Sequence, residues 1–423
     1  MEKLAIFGGK KTISKPFKKY NPIGKEEVRA AKKVIESGVL SKFIGAWHED
    51  FNGGPKVKEF EQRAAKYFGV NYAITVNSWT SGLIAAVGAI GIEPGDEIIV
   101  TPWTMSASAT AILHWNAIPV FADINSENYN LDPQEIEKCI SPFTKAIIVA
   151  DIFGQSADMD EIMEIAKTHN LKVISDTAQS PGALYKSRFA GTCADVGGFS
   201  LNYHKHIHTG EGGIVVTNDS EIAERLQLIR NHAEVVVAGK GVKNLSNMVG
   251  YNFRLGEIEC AIGIEQLKKL NTLVEGRRKL AEALTENLSD LPGLVTPKKN
   301  NDRTNVYYVY PMQLNLETLG VGRDTICDAL IAEGVDVVRG YQNIHLLPLY
   351  QKKIAFGSKG FPWSSDISQR QINYSKGSCP KAEYLHDFTF IALGMCNHEL
   401  KFSDIALISS AFKKVWSNLD SLK

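Results

Sequence analysis

The chain has 423 residues, more than a single hydrophobic core usually supports, so we expect two domains. Basic and acidic residues balance at 47 each, which leaves no net charge to attract nucleic acid. No apolar run approaches the roughly 18 residues of a membrane span, and residues 1–17 lack the apolar core of a secretion signal. Composition therefore predicts a cytoplasmic protein that acts on small molecules, with neither nucleic acid nor membrane as partner.

Helical patterns alternate with short β-branched runs from about residue 24 to 270, which is typical of a mostly parallel sheet covered by helices. The runs predicted as strands are 72–76, 97–101, 118–122, 144–150, 172–175, 196–200 and 213–217. Apolar residues recurring every 3.6 positions predict helices over 81–90, 107–114, 158–168 and 220–231. This order predicts an α/β, doubly wound large domain over residues 1–270.

A long helix is predicted over residues 256–288, and it carries the chain out of the large domain. Beyond Pro292 the pattern changes to strands over 304–314 and 335–339, a helix over 323–333, and helices near Ala382 and Ser403. The polar stretch 298–304 predicts a hairpin or surface loop. We therefore expect a smaller α+β domain over residues 271–423.

Lys205 lies in the segment Ser-Leu-Asn-Tyr-His-Lys-His-Ile-His-Thr-Gly-Glu-Gly-Gly, residues 200–213, between a polar turn and a glycine-rich bend. A surface lysine has a pKa of about 10.4, so at neutral pH its amine is protonated and unreactive. A lysine held in a pocket can instead condense with an aldehyde. Most lysines are solvated surface charges, and Lys205 alone would be assigned to that class. Polar residues at the ends of other predicted strands favour the reactive alternative.

Residues 77–82, Asn-Ser-Trp-Thr-Ser-Gly, follow a predicted strand and open an apolar helix. Free amides at a helix start, together with the hydroxyls of Thr80 and Ser81, can hold a phosphate. An ordinary Ser/Thr helix cap is the alternative. Ser200, five residues before Lys205, would add a further phosphate contact.

Asp176 follows the predicted strand 172–175, and Gln179 lies one turn later. A carboxylate there can keep the ring nitrogen of pyridoxal protonated, while Gln179 can reach the phenolic oxygen of the ring. A turn or cap role is the alternative for Asp176. Because ligands of open α/β sheets bind at the carboxyl ends of the strands, these residues predict one pyridoxal phosphate site in which Lys205 binds the cofactor and moves a proton.

Histidines alternate with other residues around Lys205, at positions 204, 206 and 208. His-x-His is a recurring zinc pair, but no cluster of Cys, Asp or Glu accompanies it. The cysteines, at positions 139, 193, 260, 327, 379 and 396, form no Cys-x-x-Cys pair. We predict that these histidines are polar pocket residues and that the protein holds no metal.

Taken in order, these motifs resemble the DegT/StrS family of pyridoxal phosphate-dependent sugar aminotransferases, which belong to the fold type I, aspartate aminotransferase-like group. The resemblance covers nearly the whole chain. It includes Gly-Ile-Glu-Pro-Gly-Asp at 91–96, Phe-Gly-Gln at 153–155, Gly-Tyr-Asn-Phe-Arg-Leu at 250–255 and Cys-Pro-Lys-Ala-Glu at 379–383. Without the resemblance, residues 250–255 indicate a helix start at which Arg254 pairs with Glu257 or Glu259.

The resemblance implies that Lys205 is the Schiff-base lysine, Asp176 the pyridinium partner and Gln179 a contact to the cofactor hydroxyl. The implied phosphate contacts are Thr80, Ser81 and Ser200, with Asn252 reaching the cofactor phosphate of the neighbouring subunit in a homodimer with shared sites. The implied substrates are L-glutamate and a keto- or aldehydo-sugar used for cell-surface polysaccharide or lipopolysaccharide. A histidine at position 205 marks related sugar 3-dehydratases, so the lysine favours transamination.

Two positions depart from the family pattern. Trp79 stands where glycine is usual, and Met105 stands where an aromatic ring commonly stacks on pyridoxal, so either Met105 or Trp103 would make that contact. Residues 202–208 look closest to the 8-amino-3,8-dideoxy-manno-octulosonate transaminase branch. A nucleotide-sugar 3- or 4-aminotransferase, a sugar dehydratase with the same cofactor and a cofactor-dependent sensor are the alternatives.

Overall fold

The structure is a computed structural model that describes residues 2–423. Its strands form a seven-stranded sheet, a four-stranded sheet and a two-stranded ribbon. The strands are β1 Tyr72–Val76, β2 Glu97–Val100, β3 Ile118–Phe121, β4 Thr144–Ala150, β5 Lys172–Asp176, β6 Leu184–Tyr185, β7 Arg188–Phe189, β8 Val196–Ser200, β9 Gly213–Thr217, β10 Leu294–Val295, β11 Tyr310–Leu314, β12 Val337–Arg339 and β13 Phe390–Leu393.

The large sheet has the strand order β1-β9-β8-β5-β4-β2-β3. The four pairs from β8 to β3 are parallel, and only β9 runs antiparallel to its neighbours. Strands β2, β3, β8 and β9 are buried along their whole length, as expected when helices cover both faces of a sheet. The predicted mostly parallel, seven-stranded sheet is confirmed.

Helices cover both sheets and connect their strands. They are α1 Lys25–Ser37, α2 Pro55–Phe68, α3 Trp79–Ala89, α4 Ala107–His114, α5 Pro133–Cys139, α6 Met159–Thr168, α7 Ser220–Arg230, α8 Ala233–Lys240, α9 Glu257–Leu288, α10 Leu316–Leu319, α11 Arg323–Glu333, α12 Pro348–Lys352, α13 Pro380–Tyr384 and α14 Phe402–Trp416. Local signals set several helix starts, since the Asp132 and Asp219 carboxylates accept amides at the starts of α5 and α7.

Helix α9 joins the two parts of the molecule. It packs against α1 and α2 near the large sheet and against α14 near the small one. The domain boundary that we predict at residue 270 falls inside this helix, and it stays a prediction. None of the helices within residues 2–423 has the length and apolar character needed to cross a bilayer.

The small sheet is antiparallel, with the order β10-β11-β13-β12. Its core also contains Leu4 and Ile13 from the start of the chain. Buried Glu333 holds this N-terminal segment, because its carboxylate accepts hydrogen bonds from the Ala5 amide at 2.7 Å and the Thr12 hydroxyl at 2.6 Å. The segment from Leu4 to Ile13 is therefore anchored to the small domain.

The strand predicted over 304–314 is shorter than the pattern indicates. The prediction is wrong for residues 304–309, which cross to the large domain, and the strand begins at Tyr310. There the Val306 and Val309 amides donate to the carbonyls of Gly154 and Phe153, at 2.8 and 3.1 Å, and Tyr307 takes a positive φ of 49°. We call residues 304–309 the crossing segment.

Candidate active site

A cavity of about 420 Å³ lies between the two sheets, at the carboxyl ends of β5 and β8. The large domain contributes Thr80, Met105, Asp176, Gln179, Ser200 and Lys205, and the opposite side contributes Tyr308, Val338, Gly340, Tyr341, Ala392 and Asn397. Six of the eight residues predicted for the site therefore line one cavity. Ser81 and Asn252 are the two that do not line it.

Lys205 is carried by a tight loop between β8 and β9. The Lys205 amide donates to the Asn202 carbonyl at 3.0 Å, and the Leu201 amide donates to the Gly212 carbonyl at 2.9 Å. Gly210 and Gly212 close the loop with φ values of 91° and 149°, a region that glycine adopts without strain. This closed loop fixes the backbone from which Lys205 extends into the cavity.

The Lys205 amine is buried, with 7% of the residue exposed. Burial lowers its pKa from 10.5 to about 8, although the charge of Asp176 acts in the opposite direction. The Nζ atom lies 4.3 Å from the centroid of the Tyr308 ring. At neutral pH, a larger fraction of this amine is unprotonated and nucleophilic than of a surface lysine.

The Asp176 carboxylate is held from two sides. The Trp79 indole nitrogen donates to Oδ1 at 2.6 Å, and the Ser108 hydroxyl donates to Oδ2 at 2.6 Å. Asp176 itself ends β5 and is buried, so the carboxylate cannot turn away into solvent. Neither Trp79 nor Ser108 was assigned this role from the sequence.

A second buried carboxylate, Asp151, lies behind Asp176 and was missed in the sequence. It accepts hydrogen bonds from the Thr177 hydroxyl at 2.6 Å, the Ser175 hydroxyl at 3.0 Å and the Ala157 amide at 2.9 Å. Burial raises the pKa of Asp151 to about 6. Asp151 follows β4 just as Asp176 ends β5, so the strand-end rule would also have identified it.

The side-chain amide of Gln179 is held by two hydrogen bonds within the protein. Its oxygen accepts from the Phe153 amide at 2.9 Å, and its nitrogen donates to the Tyr341 hydroxyl at 3.3 Å. The first bond fixes which end of the amide faces the cavity. Gln179 therefore presents N–H donors there, as a contact to a phenolic oxygen requires.

The start of α3 carries Thr80 and Ser81, two of the residues that we predict as phosphate contacts. Thr80 lines the cavity in the first turn, while Ser78 caps the helix by accepting from the Ser81 amide at 3.0 Å. The Ser81 hydroxyl lies 2.9 Å from that of Ser78, behind the lining. With Ser200 across the cavity, the helix start presents hydroxyl and amide donors to an anion.

Met105 faces the cavity and Trp103 does not. Met105 lines the cavity and is 66% exposed, whereas Trp103 is fully buried. The Trp103 indole donates to the Asn343 side chain at 2.8 Å and packs on Phe153 and Phe390. Of the two alternatives for the stacking contact, Met105 is therefore the one placed to make it.

The histidines around Lys205 have different environments. His204 lines the cavity, and burial lowers its pKa to about 4. His206 is fully buried, with Nε2 lying 3.0 Å from the Val306 carbonyl, and burial holds its pKa well below the usual value. No group of three metal-ligating side chains occurs within the described chain. His204 thus offers the cavity a neutral imidazole.

Asn252 is exposed and lies outside the cavity of its own chain. Its side-chain oxygen accepts from Arg254 at 2.7 Å, and its carbonyl accepts from the Asn77 side chain at 3.2 Å. The predicted pairing of Arg254 with a glutamate at the start of α9 is wrong. Glu257 instead accepts the amides of Lys56 and Val57, at 2.8 and 3.2 Å.

The cavity suits pyridoxal phosphate on three grounds. A buried amine with a lowered pKa stands at one end, a fixed carboxylate lies deep in the cavity, and a helix start offers donors to a phosphate. These groups come from separate strand ends that the fold brings together.

Comparisons with known proteins agree with this geometry. Residues 23–378 match the model of the DegT/DnrJ/EryC1/StrS aminotransferase family. Over 358 residues, the chain is 33% identical to the spore coat polysaccharide biosynthesis protein SpsC of Bacillus subtilis (strain 168), covering 83% of this chain and 89% of that protein.

Solved structures show the same fold. An aminotransferase from Psychrobacter cryohalolentis superposes with a TM-score of 0.82 at 25% identity, over 96% of this chain and all of that one. The E. coli GDP-4-keto-6-deoxy-D-mannose-3-dehydratase with bound hydrated PLP superposes with a TM-score of 0.77 at 25% identity, over 95% and 99% of the two chains. The chain thus belongs to the DegT/DnrJ/EryC1/StrS aminotransferase family, as a pyridoxal phosphate-dependent transaminase of fold type I whose homologues are sugar aminotransferases.

Proposed function

We propose that this transaminase transfers the amino group of L-glutamate to the carbonyl carbon of a keto- or aldehydo-sugar used for cell-surface polysaccharide or lipopolysaccharide. The observation that carries the proposal is the pairing of Lys205, a buried amine with a pKa lowered to about 8, with Asp176 on one cavity. The membership of the chain in a family of sugar aminotransferases supports the choice of acceptor. A cytoplasmic location stays a prediction.

The roles of the residues follow from their chemistry. When bound, pyridoxal phosphate supplies an electron sink for a carbanion next to nitrogen. Lys205 would hold the cofactor through its aldehyde and, as a free amine, would take and return the proton of the substrate carbon. Asp176 would keep the ring nitrogen protonated, Gln179 would donate to the phenolic oxygen, and Met105 would contact the ring. Thr80 and Ser200, which line the cavity, would hold the phosphate, and Ser81 would reach it by turning its hydroxyl away from Ser78.

The rest of the cavity lining suits a polyhydroxylated acceptor. Among the described lining residues, Lys205 is the only lysine or arginine. The polar groups left for a substrate are neutral or acidic, and they include Asn202, His204, Glu211 and Asn397. Amides and a neutral imidazole both donate to and accept from hydroxyl groups, which suits a sugar.

The proposal includes a homodimer with shared sites, in which Asn252 contacts the cofactor phosphate of the partner subunit. Asn252 is exposed and outside its own cavity, as that role requires. Upstream of it, Val235, Leu245 and Val249 are 60%, 59% and 58% exposed. A partner subunit that lies over this segment would cover these side chains.

The central experiment follows the two half-reactions in the visible spectrum of the purified protein with bound cofactor. Adding L-glutamate should bleach the visible band, and adding the correct keto-sugar should restore it. L-Glutamine and L-aspartate serve as alternative donors. Turnover of the sugar without any consumption of an amino donor would reject transamination and support the dehydratase alternative.

Shared sites can be tested by mixing two inactive variants. A dimer that combines one K205A chain with one N252A chain has one site with both changes and one site with neither, if Asn252 acts on the partner's cofactor. Each mixed dimer should then have about half the activity of the wild-type dimer, and a randomly exchanged mixture about a quarter. Absence of any restoration in a confirmed mixed dimer would contradict the shared arrangement.

We further propose that the acceptor is an acidic eight-carbon sugar without a nucleotide, giving 8-amino-3,8-dideoxy-manno-octulosonate. The residue pattern at 202–208 motivates this choice. The described lining of one chain contains no lysine or arginine besides Lys205, so it offers no free cation either to a nucleotide phosphate or to the carboxylate of this sugar. Parallel assays with the free octulosonate-derived aldehyde and with nucleotide-linked 3- and 4-keto-sugars separate the alternatives. Turnover of only the nucleotide-linked sugars would reject this acceptor.

A further inference from the structure

Trp79 occupies the first turn of α3, beside the phosphate contacts, and its indole is almost completely buried. An indole in this position needs space that the neighbouring backbone must provide. A side-chain carbon on Gly82 would lie 2.7 Å from the Trp79 ring, and one on Gly198 in β8 would overlap the ring. The glycines around Trp79 therefore leave room for this large side chain.

The indole N–H of Trp79 donates a hydrogen bond to the Asp176 carboxylate. It donates to Asp176 Oδ1 at 2.6 Å, a short distance typical of a hydrogen bond to a charged acceptor. The Ser108 hydroxyl donates to the other carboxylate oxygen, also at 2.6 Å. Two donors on opposite oxygens leave the carboxylate little freedom to rotate.

We infer that Trp79 is a positioning residue that sets the orientation of Asp176 toward the ring nitrogen of the cofactor. This inference rests on the proposed role of Asp176. Oδ1 accepts from Trp79 and, at 3.3 Å, from the Ala178 amide, whereas Oδ2 accepts from Ser108 alone. Oδ2 therefore keeps a lone pair that can accept the ring N–H while the donors stay in place. Trp79 thus acts on the reaction through Asp176, because its indole N–H is occupied by the carboxylate.

The test compares W79F with the matched control W115F. Trp115 is also buried, its indole donates to the Ile84 carbonyl at 2.7 Å, and a side-chain carbon on Gly88 would overlap its ring. Both substitutions remove an indole hydrogen bond and leave a ring in place, but only Trp79 contacts Asp176. A purely structural role predicts that both variants lose thermal stability without any change in kcat.

We expect W79F to lower kcat by about 10- to 100-fold with little change in KM for the amino donor, because hydrogen bonds to charged groups have that strength. We also expect the visible band of the bound cofactor to shift in W79F and not in W115F. A W79F protein with wild-type kcat and spectrum would overturn the inference. If wild-type protein itself shows no visible band, the proposed function fails instead.

A measurement on the cofactor-free protein tests the contact directly. The chain has six tryptophans, and the indole N–H signal of Trp79 can be assigned in a ¹H–¹⁵N spectrum as the one missing in W79F. We expect this signal far downfield in wild-type protein and displaced upfield in D176A, while the Trp115 signal stays in place. A Trp79 signal that does not respond to D176A would overturn the inference even if W79F folds poorly.

Discussion

The two walls of the cavity are built in different ways. We call the wall formed by the large sheet the fixed wall, because protein hydrogen bonds there fix the side chains of Asp176 and Gln179 and a closed loop carries Lys205. The opposite wall contributes small and aromatic residues, such as Val338, Gly340 and Tyr341. The first wall suits chemistry that must stay constant, and the second suits a substrate surface that can change without loss of that chemistry.

The largest effect is expected from K205A on the fixed wall. Loss of the amine removes both the attachment of the cofactor and the proton carrier, so turnover should fall by about 1000-fold or more and the visible band should disappear. Steady-state kinetics and absorbance measure both effects. The exposed Lys167 provides the control, since K167A should keep full activity. Substantial activity in K205A would show that the wall formed by the large sheet does not carry the essential amine.

The substitution D176N should lower kcat by about 100-fold, because the amide keeps the shape of the side chain but not its charge. The S108A variant loses one donor to the carboxylate and should fall between wild type and D176N. Rapid-mixing measurements of the glutamate half-reaction give the rate constants. If D176N and wild type react at equal rates, the fixed wall does not act through this charge.

The pH dependence of Lys205 follows from its lowered pKa of about 8. Below that pH the amine is mostly protonated and unreactive, so labelling by an amine-directed acylating reagent should rise about tenfold per pH unit and level off above pH 8. Mass spectrometry of cofactor-free protein measures the labelling. Nα-acetyl-lysine serves as the control and should keep rising toward its ordinary pKa of about 10.4. A Lys205 profile that follows the control would contradict the effect of burial.

On the opposite wall, Tyr308 is expected to matter less. Its ring lies 4.3 Å from the Lys205 amine and favours the charged form, so Y308L should lower the pKa of Lys205 further. We expect kcat/KM to change by only about two- to fivefold. The Y308F variant keeps the ring and should behave like wild type. A loss in Y308F as large as in Y308L would assign the effect to the hydroxyl.

The smallest effect is expected from Y341F. It removes the hydroxyl that accepts a 3.3 Å hydrogen bond from Gln179, while the bond from the Phe153 amide still fixes the side chain. The expected loss in kcat/KM is about twofold. The Q179A variant, which removes the donor itself, should lose more. Equal losses in the two variants would mean that Gln179 acts only through Tyr341.

Local patterns in the sequence predict the fixed wall well. Residues 72–76, 144–150, 196–200 and 213–217 form strands with the predicted bounds, and strand-end residues meet because parallel strands end at one edge. The contact of Trp79 and Ser108 with Asp176 could not be predicted this way. It joins residues 97 and 68 positions apart, and no local periodicity encodes which side chain fills the space left by a glycine.

The opposite wall was predicted less well for a related reason. A β-branched run over 304–314 has strand character, but its first half bonds to the large domain and only its second half pairs within the small sheet. Similarly, Ile372, Tyr374 and Cys379 belong to the core of the large domain, although they lie far along the chain in the region assigned to the small one. Such choices depend on which surface is nearby in the folded protein.

The crossing segment limits how the enzyme can adapt to its substrates. Its two backbone bonds to Gly154 and Phe153 flank Tyr308 and fasten this part of the small domain to the rim of the large sheet. A motion that separates the two domains on this side of the cavity would have to break both of these hydrogen bonds. Different sugars would therefore be accommodated by rotations of individual side chains and by the side of the cavity away from the crossing segment. A change of substrate specificity should then need few substitutions and no change in how the two domains move.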